Sequence, residues 1–135
     1  MNANNNNALI ETDIKIVDFG LATLADCEDY LFKRCGTPGF VAPEIISANA
    51  NDKVKFTPKC DIFSAGVIFY ILITGTTPFK GKDFKDILKA NRDCKIDYSS
   101  KQLKDKDPRV IELLKKMLVV DPAARCSAKE ALSQE

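Results

Sequence analysis

Apolar and polar positions along the chain change period several times, and each change marks an element. From Asp13 to Val17 the run Asp-Ile-Lys-Ile-Val alternates and is rich in β-branched residues, which predicts a short strand ended by Asp18-Phe19-Gly20. Residues 21 to 42 mix charge with Gly36, Pro38 and Gly39 and hold no period, so they predict a long loop. Loops of that length inside compact domains are usually functional or disordered. Pro43 to Ser47 allows one helical turn. Thr57-Pro58 then supplies an N-cap and a first-turn proline for a helix in which Ile62, Phe63, Val67, Ile68, Phe69, Ile71, Leu72 and Ile73 cover every face. A helix apolar all round is either central to a core or spans a membrane. This one falls short of the roughly 20 apolar residues of a span, so a central core helix is expected, ended by Gly75 to Pro78.

Further on, Asp83 to Asn91 predicts a short amphipathic helix with Phe84, Ile87 and Leu88 on its apolar side, followed by a polar connection to Asp107. Asp107-Pro108 opens another helix, whose stripe of Val110, Ile111, Leu113, Leu114, Met117 and Leu118 is stopped by Asp121-Pro122. Ser127 and Glu130 have capping-box spacing and start a last helix of about two turns, at which the sequence reads as cut. Met1 to Asn7 is Asn-rich and predicts a flexible segment.

Composition narrows the function classes. With 20 Lys+Arg against 19 Asp+Glu, the net charge of +1 gives no global field toward nucleic acid or an anionic membrane. Five scattered cysteines without a CxxC pair, and no histidine, offer neither a zinc knuckle nor a disulfide framework and fit a reducing compartment. No signal-peptide pattern opens the chain, so an intracellular, cytoplasmic location is expected. At 135 residues and 45% hydrophobic composition the chain suits one compact domain.

Six short motifs then occur in order: Asp18-Phe19-Gly20, Gly36-Thr37-Pro38, Ala42-Pro43-Glu44, Asp61 through Gly66-Val67, Gly75 through Pro78-Phe79, and Asp121-Pro122 with Arg125. Singly each is weak evidence, and Asp18 or Thr37 alone reads as a turn residue. Together they resemble the Ser/Thr protein kinase catalytic domain from its magnesium-binding motif onward, and look most like its calcium/calmodulin-dependent group. The resemblance implies a mainly α fold, the helical C-lobe of an α+β parent. It assigns residues 1–12 to an Asn-rich loop and 13–135 to a partial kinase domain, with an activation segment at 18–44 and a helical lobe at 45–135.

By resemblance, Asp18 ligates Mg2+, Phe19 packs in the core, and Asp18, Phe19 and Gly20 form part of the ATP site. Catalytic parts fall to Asp18 and Thr37, and the peptide substrate lies on Gly36, Thr37, Pro38, Gly39 and Phe40. Glu44 and Arg125 form a structural ion pair, Asp61 accepts backbone N–H groups of the catalytic loop, and Ile68 and Leu72 pad the floor of the adenine pocket. Phe63 stands where the family often has Trp. Lys33 occupies the position of the usual activating phosphothreonine, so phosphorylation-dependent ordering there is not expected.

The parts that handle phosphate are missing: no Gly-rich loop, no strand lysine with its glutamate, and no His-Arg-Asp loop precedes Asp18. The expectation is a Ser/Thr kinase fragment inactive alone, whose parent uses ATP and Mg2+ on Ser/Thr protein substrates, with binding of either by this stretch alone doubtful. Its partners would be protein substrates and an N-lobe or regulatory segment, with neither nucleic acid nor membrane. The alternative is a noncatalytic, pseudokinase-like scaffold. Without the catalytic loop, part of the central helix should expose apolar surface.

Overall fold

Sixteen consecutive residues with almost no charge fold as a helix because that conformation satisfies the backbone while offering apolar side chains in several directions. This helix organises the computed structural model, which describes residues 14–25, 35–48 and 57–133. Among them the elements are one 3-10 turn at Phe19–Leu21 and the helices α1 (Pro43–Ser47), α2 (Lys59–Thr74), α3 (Phe84–Asp93), α4 (Lys101–Lys104), α5 (Pro108–Met117) and α6 (Ala128–Leu132). The expected helical class holds. No described helix is long and apolar enough to cross a membrane.

The caps explain most boundaries. Gly75 takes φ 70° and its N–H donates to the Ile71 carbonyl at 2.7 Å, the left-handed stop that glycine tolerates best. The Asp83 carboxylate accepts from Asp86 N at 2.9 Å, Asp107 accepts from Arg109 N at 2.8 Å, and Ser127 and Glu130 close the expected capping box. Two boundaries differ from expectation. Pro58, not Thr57, is the N-cap of α2, and the Thr57 side chain makes no cap bond; its carbonyl instead accepts from Cys60 N at 3.0 Å. α5 ends at Met117, before Asp121-Pro122, and Arg125 N then bonds back to the Asp121 carbonyl at 3.1 Å. The polar connection before Asp107 also contains α4, whose Leu103 is 1% exposed and anchors an otherwise hydrophilic turn.

α2 packs against α4 and α5. Phe63, Val67, Tyr70, Leu103, Leu114 and Leu118 fill the space between them, and the Phe63 and Phe79 rings lie parallel with centroids 6.0 Å apart. The opposite side of α2 is uncovered: Ile68 is 51% and Leu72 77% exposed. Their expected place as padding is therefore a solvent-facing stripe here, because no described segment lies over them.

The predicted strand is corrected. Residues 14–18 carry no strand, and Ile14, Ile16 and Val17 are exposed. β-Branched alternation describes a chain that suits a sheet, but a strand exists only when a neighbour supplies the ladder, and no described residue does. Asp13 and the Asn-rich start lie outside the described residues.

Gly66 is where α2 meets the end of α5. A Cβ there would lie 2.9 Å from Met117 Cβ and 3.0 Å from Leu118 Cδ2. Gly66→Ala should therefore destabilise the fold by about 1–3 kcal/mol despite alanine's better helix propensity. Urea denaturation measures it, and an unchanged or raised midpoint would show that the helices separate at no cost.

Candidate functional site

The loop at residues 36–41 needs two backbone conformations that side chains resist, φ 114° at Gly36 and 87° at Gly39, and glycine occupies both. Between them the Thr37 carbonyl accepts from Phe40 N at 3.0 Å and Val41 N at 3.2 Å, closing a compact turn. Two helices fasten it. Ser64 Oγ on α2 donates to the Phe40 carbonyl at 2.9 Å, and Gly39 N–H donates to Asn91 Oδ1 on α3 at 2.9 Å. Thr37 is exposed, while Pro38, Gly39 and Phe40 are half-buried. Asn91 belongs to none of the six motifs. Its signal was available, since Phe84, Ile87, Leu88 and Asn91 share the i, i+3, i+4, i+7 face of α3, where an amide is out of pattern.

The chain leaves this loop through buried Ala42 and Pro43 into α1, whose first turn carries Glu44. Glu44 and Arg125 are 81 residues apart, and the structure brings them together as a two-pronged pair: Arg125 Nη1 to Glu44 Oε1 and Nη2 to Oε2, both at 2.8 Å. Arg125 is 1% exposed. Its remaining donors reach the Lys59 carbonyl at 2.7 Å, the Val119 carbonyl at 2.9–3.0 Å and the Val120 carbonyl at 3.3 Å, and its guanidinium lies 5.1 Å from the Phe63 ring centroid. Every face of the cation thus has a partner, the condition under which a buried charge is tolerated.

Asp18 lies apart from this lock. It is a non-glycine residue with φ 65°, and its carboxylate accepts from Gly20 N at 3.4 Å, forming the cap of the 3-10 turn. The left-handed conformation suits aspartate, whose side chain can bond its own backbone. Phe19, expected in the core, is 69% exposed, because no described element covers the turn that carries it. Asp61, in the first turn of α2, is exposed as well. It borders a cleft of about 600 Å³ that lies between residues 21–25, the Gly36–Phe40 loop and the start of α2, and that Thr37 and Ser64 also line. The structure therefore brings Thr37 and Asp61 to one cleft, and Glu44 and Arg125 to one lock. Lys33 lies outside the described residues.

Among the described residues no group of three or more His, Cys, Asp or Glu could hold a metal. Asp18 offers a single hard oxygen donor group, which suits Mg2+, an ion that protein commonly holds by one or two carboxylates while substrate phosphates and water complete its shell.

Cys60 in the cleft wall is a poor nucleophile. Burial, reinforced by the Asp61 and Glu44 carboxylates, raises its thiol from 9.0 to about 11. Burial raises Cys94 to about 11 as well, against a smaller lowering by Arg125.

A family profile described as protein kinase domain matches residues 4–135. Among curated relatives, the chain is 37% identical over 124 positions to the probable serine/threonine-protein kinase 2 of Plasmodium falciparum, covering 92% of this chain and 23% of that protein. It is 37% identical over 135 positions to calcium-dependent protein kinase 4 of Plasmodium berghei, covering 96% and 24%. Against calcium-dependent protein kinase 3 of Plasmodium yoelii yoelii the identity is 37% over 123 positions, covering 90% and 22%. The chain spans about a quarter of the length of these relatives.

Glu44→Gln should cost about 3–5 kcal/mol, because it leaves a buried guanidinium without its countercharge. Arg125→Lys should cost a similar amount, since one ammonium cannot replace a planar fork that serves two carboxylate oxygens and three carbonyls. Urea midpoints measure both, and losses under about 1 kcal/mol would show the pair to be incidental. A pH dependence follows from the thiols. The folded chain keeps protons on Cys60 and Cys94 that the unfolded chain releases near 9.0, so their contribution is complete below pH 9 and is lost as pH rises through about 11. Denaturation midpoints should fall across that window, and less steeply in a Cys60→Ala, Cys94→Ala double variant. An identical slope would contradict the assignment.

Proposed function

Because the chain belongs to the protein kinase domain family, we propose that the protein transfers the ATP γ-phosphate to Ser or Thr of protein substrates, with this stretch supplying the peptide-binding and structural half of the domain. One observation carries the reading: the Gly36–Phe40 loop is fixed from two helices while Thr37 stays exposed at the mouth of a cleft shared with Asp61. A loop held this firmly, with an exposed threonine, suits positioning an extended peptide, and phosphoryl transfer depends chiefly on positioning and electrostatics. The relatives named serine/threonine-protein kinase 2 and calcium-dependent protein kinase support Ser/Thr as the acceptor class.

In this reading residues 18–44 are the activation segment and 45–135 the helical lobe. Asp18 would hold Mg2+, which neutralises charge on the transferring phosphate. Phe19 and Gly20 border the nucleotide. Gly36 to Phe40 receive the peptide, Thr37 orients the acceptor region, and Asp61 presents its carboxylate to backbone N–H groups of a loop that completes the site. Glu44 and Arg125 keep the end of the segment in register with the helices. Nothing in the sequence supplies a lysine for the nucleotide phosphates or an aspartate for the acceptor proton at the family's positions ahead of Asp18, so these chemical steps need residues beyond this stretch. The uncovered Ile68–Leu72 stripe also supports the second reading, a noncatalytic scaffold that docks another polypeptide.

The 135-residue chain alone should show no ATP-dependent phosphorylation of Ser/Thr peptides. Joined to a segment that provides the lysine and the catalytic aspartate, it should turn over, with Asp18→Asn lowering the rate by about two to three orders of magnitude. Turnover by the chain alone, or a joined protein indifferent to Asp18→Asn, would overturn the reading. A joined protein that folds, binds partners and never turns over would favour the scaffold.

A further inference from the structure

The Asn91 side chain is 0% exposed, among the largest fully buried side chains of the described residues. It sits on the apolar face of α3, where Phe84, Ile87 and Leu88 precede it at helical spacing. Its Oδ1 accepts from Gly39 N–H at 2.9 Å, while its Nδ2 is buried with no hydrogen-bond partner among the described residues. An apolar residue would fill this position without leaving a buried donor unpaired. What the amide adds is one acceptor, directed at a backbone N–H whose residue holds φ 87°. A Cβ on Gly39 would lie 3.5 Å from Ile87 Cγ2, so the loop already rests against α3 and the hydrogen bond fixes its height and tilt there. The far end of α3 is itself anchored, since Cys94 takes φ 45° and its Sγ reaches the Leu118 carbonyl at 3.5 Å.

We propose that Asn91 is a positioning residue for peptide binding, holding Gly39 so that the Gly36–Phe40 loop keeps the shape that receives a Ser/Thr peptide. This rests on the reading of that loop as the peptide site. Asn91 acts through the Gly39 backbone and touches no reacting atom.

The test titrates the 15N-labelled chain with a degenerate peptide pool with Ser or Thr fixed at its centre, then with the tightest peptide recovered from it. The Gly39 N–H and Asn91 side-chain NH2 resonances should shift together and saturate at one Kd. Asn91→Leu should weaken binding by about tenfold, the effect of one lost hydrogen bond. If Asn91→Leu does not fold, the titration of the parent chain decides. Saturable binding with both resonances unmoved, or an Asn91→Leu variant that binds as the parent does, overturns the inference and leaves the peptide site standing. A parent chain that binds no peptide removes the peptide site, and the role of Asn91 with it.

Discussion

A buried cation, Arg125, organises the described part of this molecule. Arg125 is sealed from water, and its guanidinium ties α1 through Glu44, the start of α2 through the Lys59 carbonyl, and the turn after α5 through the Val119 carbonyl. A guanidinium stripped of water is tolerable only when its donors are satisfied together. The three segments must therefore arrive in one arrangement or not at all. The cation also lies over Phe63, which joins the polar lock to the apolar core and its stacked Phe79. Helices of five and ten residues, marginal by themselves, keep their mutual placement through this junction.

What the lock holds in place is the approach to the Gly36–Phe40 loop. Immediately beyond the loop, Ala42 and Pro43 are buried and Glu44 is pinned, so the loop's downstream end has no freedom. Ser64 and Asn91 then fix its middle from two helices that do not follow one another in the chain. Its upstream side, by contrast, faces a cleft with the exposed Asp18–Phe19 turn beyond it. The loop is thus held from α1, α2 and α3 on one side and open on the other.

The same asymmetry runs through α2. Phe63, Gly66, Val67 and Tyr70 are buried against α4 and α5, and Gly66 permits contacts that any larger residue would disturb. The stripe of Ile68 and Leu72 is as apolar as the buried one and meets nothing among the described residues. Phe19, in the turn after Asp18, is exposed as well.

The sequence by itself determined the helical class, the existence of α1, α2, α3, α5 and α6, and the caps at Asp107 and Ser127, because these depend on periodicity and on bonds within a few residues. It also contained both halves of the Glu44–Arg125 pair as members of an ordered set of motifs. Contacts that close between distant segments were decided only by the tertiary structure. A β-branched run at 14–17 could not become a strand without a ladder, Leu103 could not announce α4 until a core existed to receive it, and an all-apolar α2 could not show which of its faces would be covered. Asn91 is the clearest case. One amide on an apolar helical face is a local irregularity until the fold brings a glycine N–H from 52 residues away to within 2.9 Å of it, because the partner of a buried polar group is chosen by chain topology and not by sequence neighbourhood.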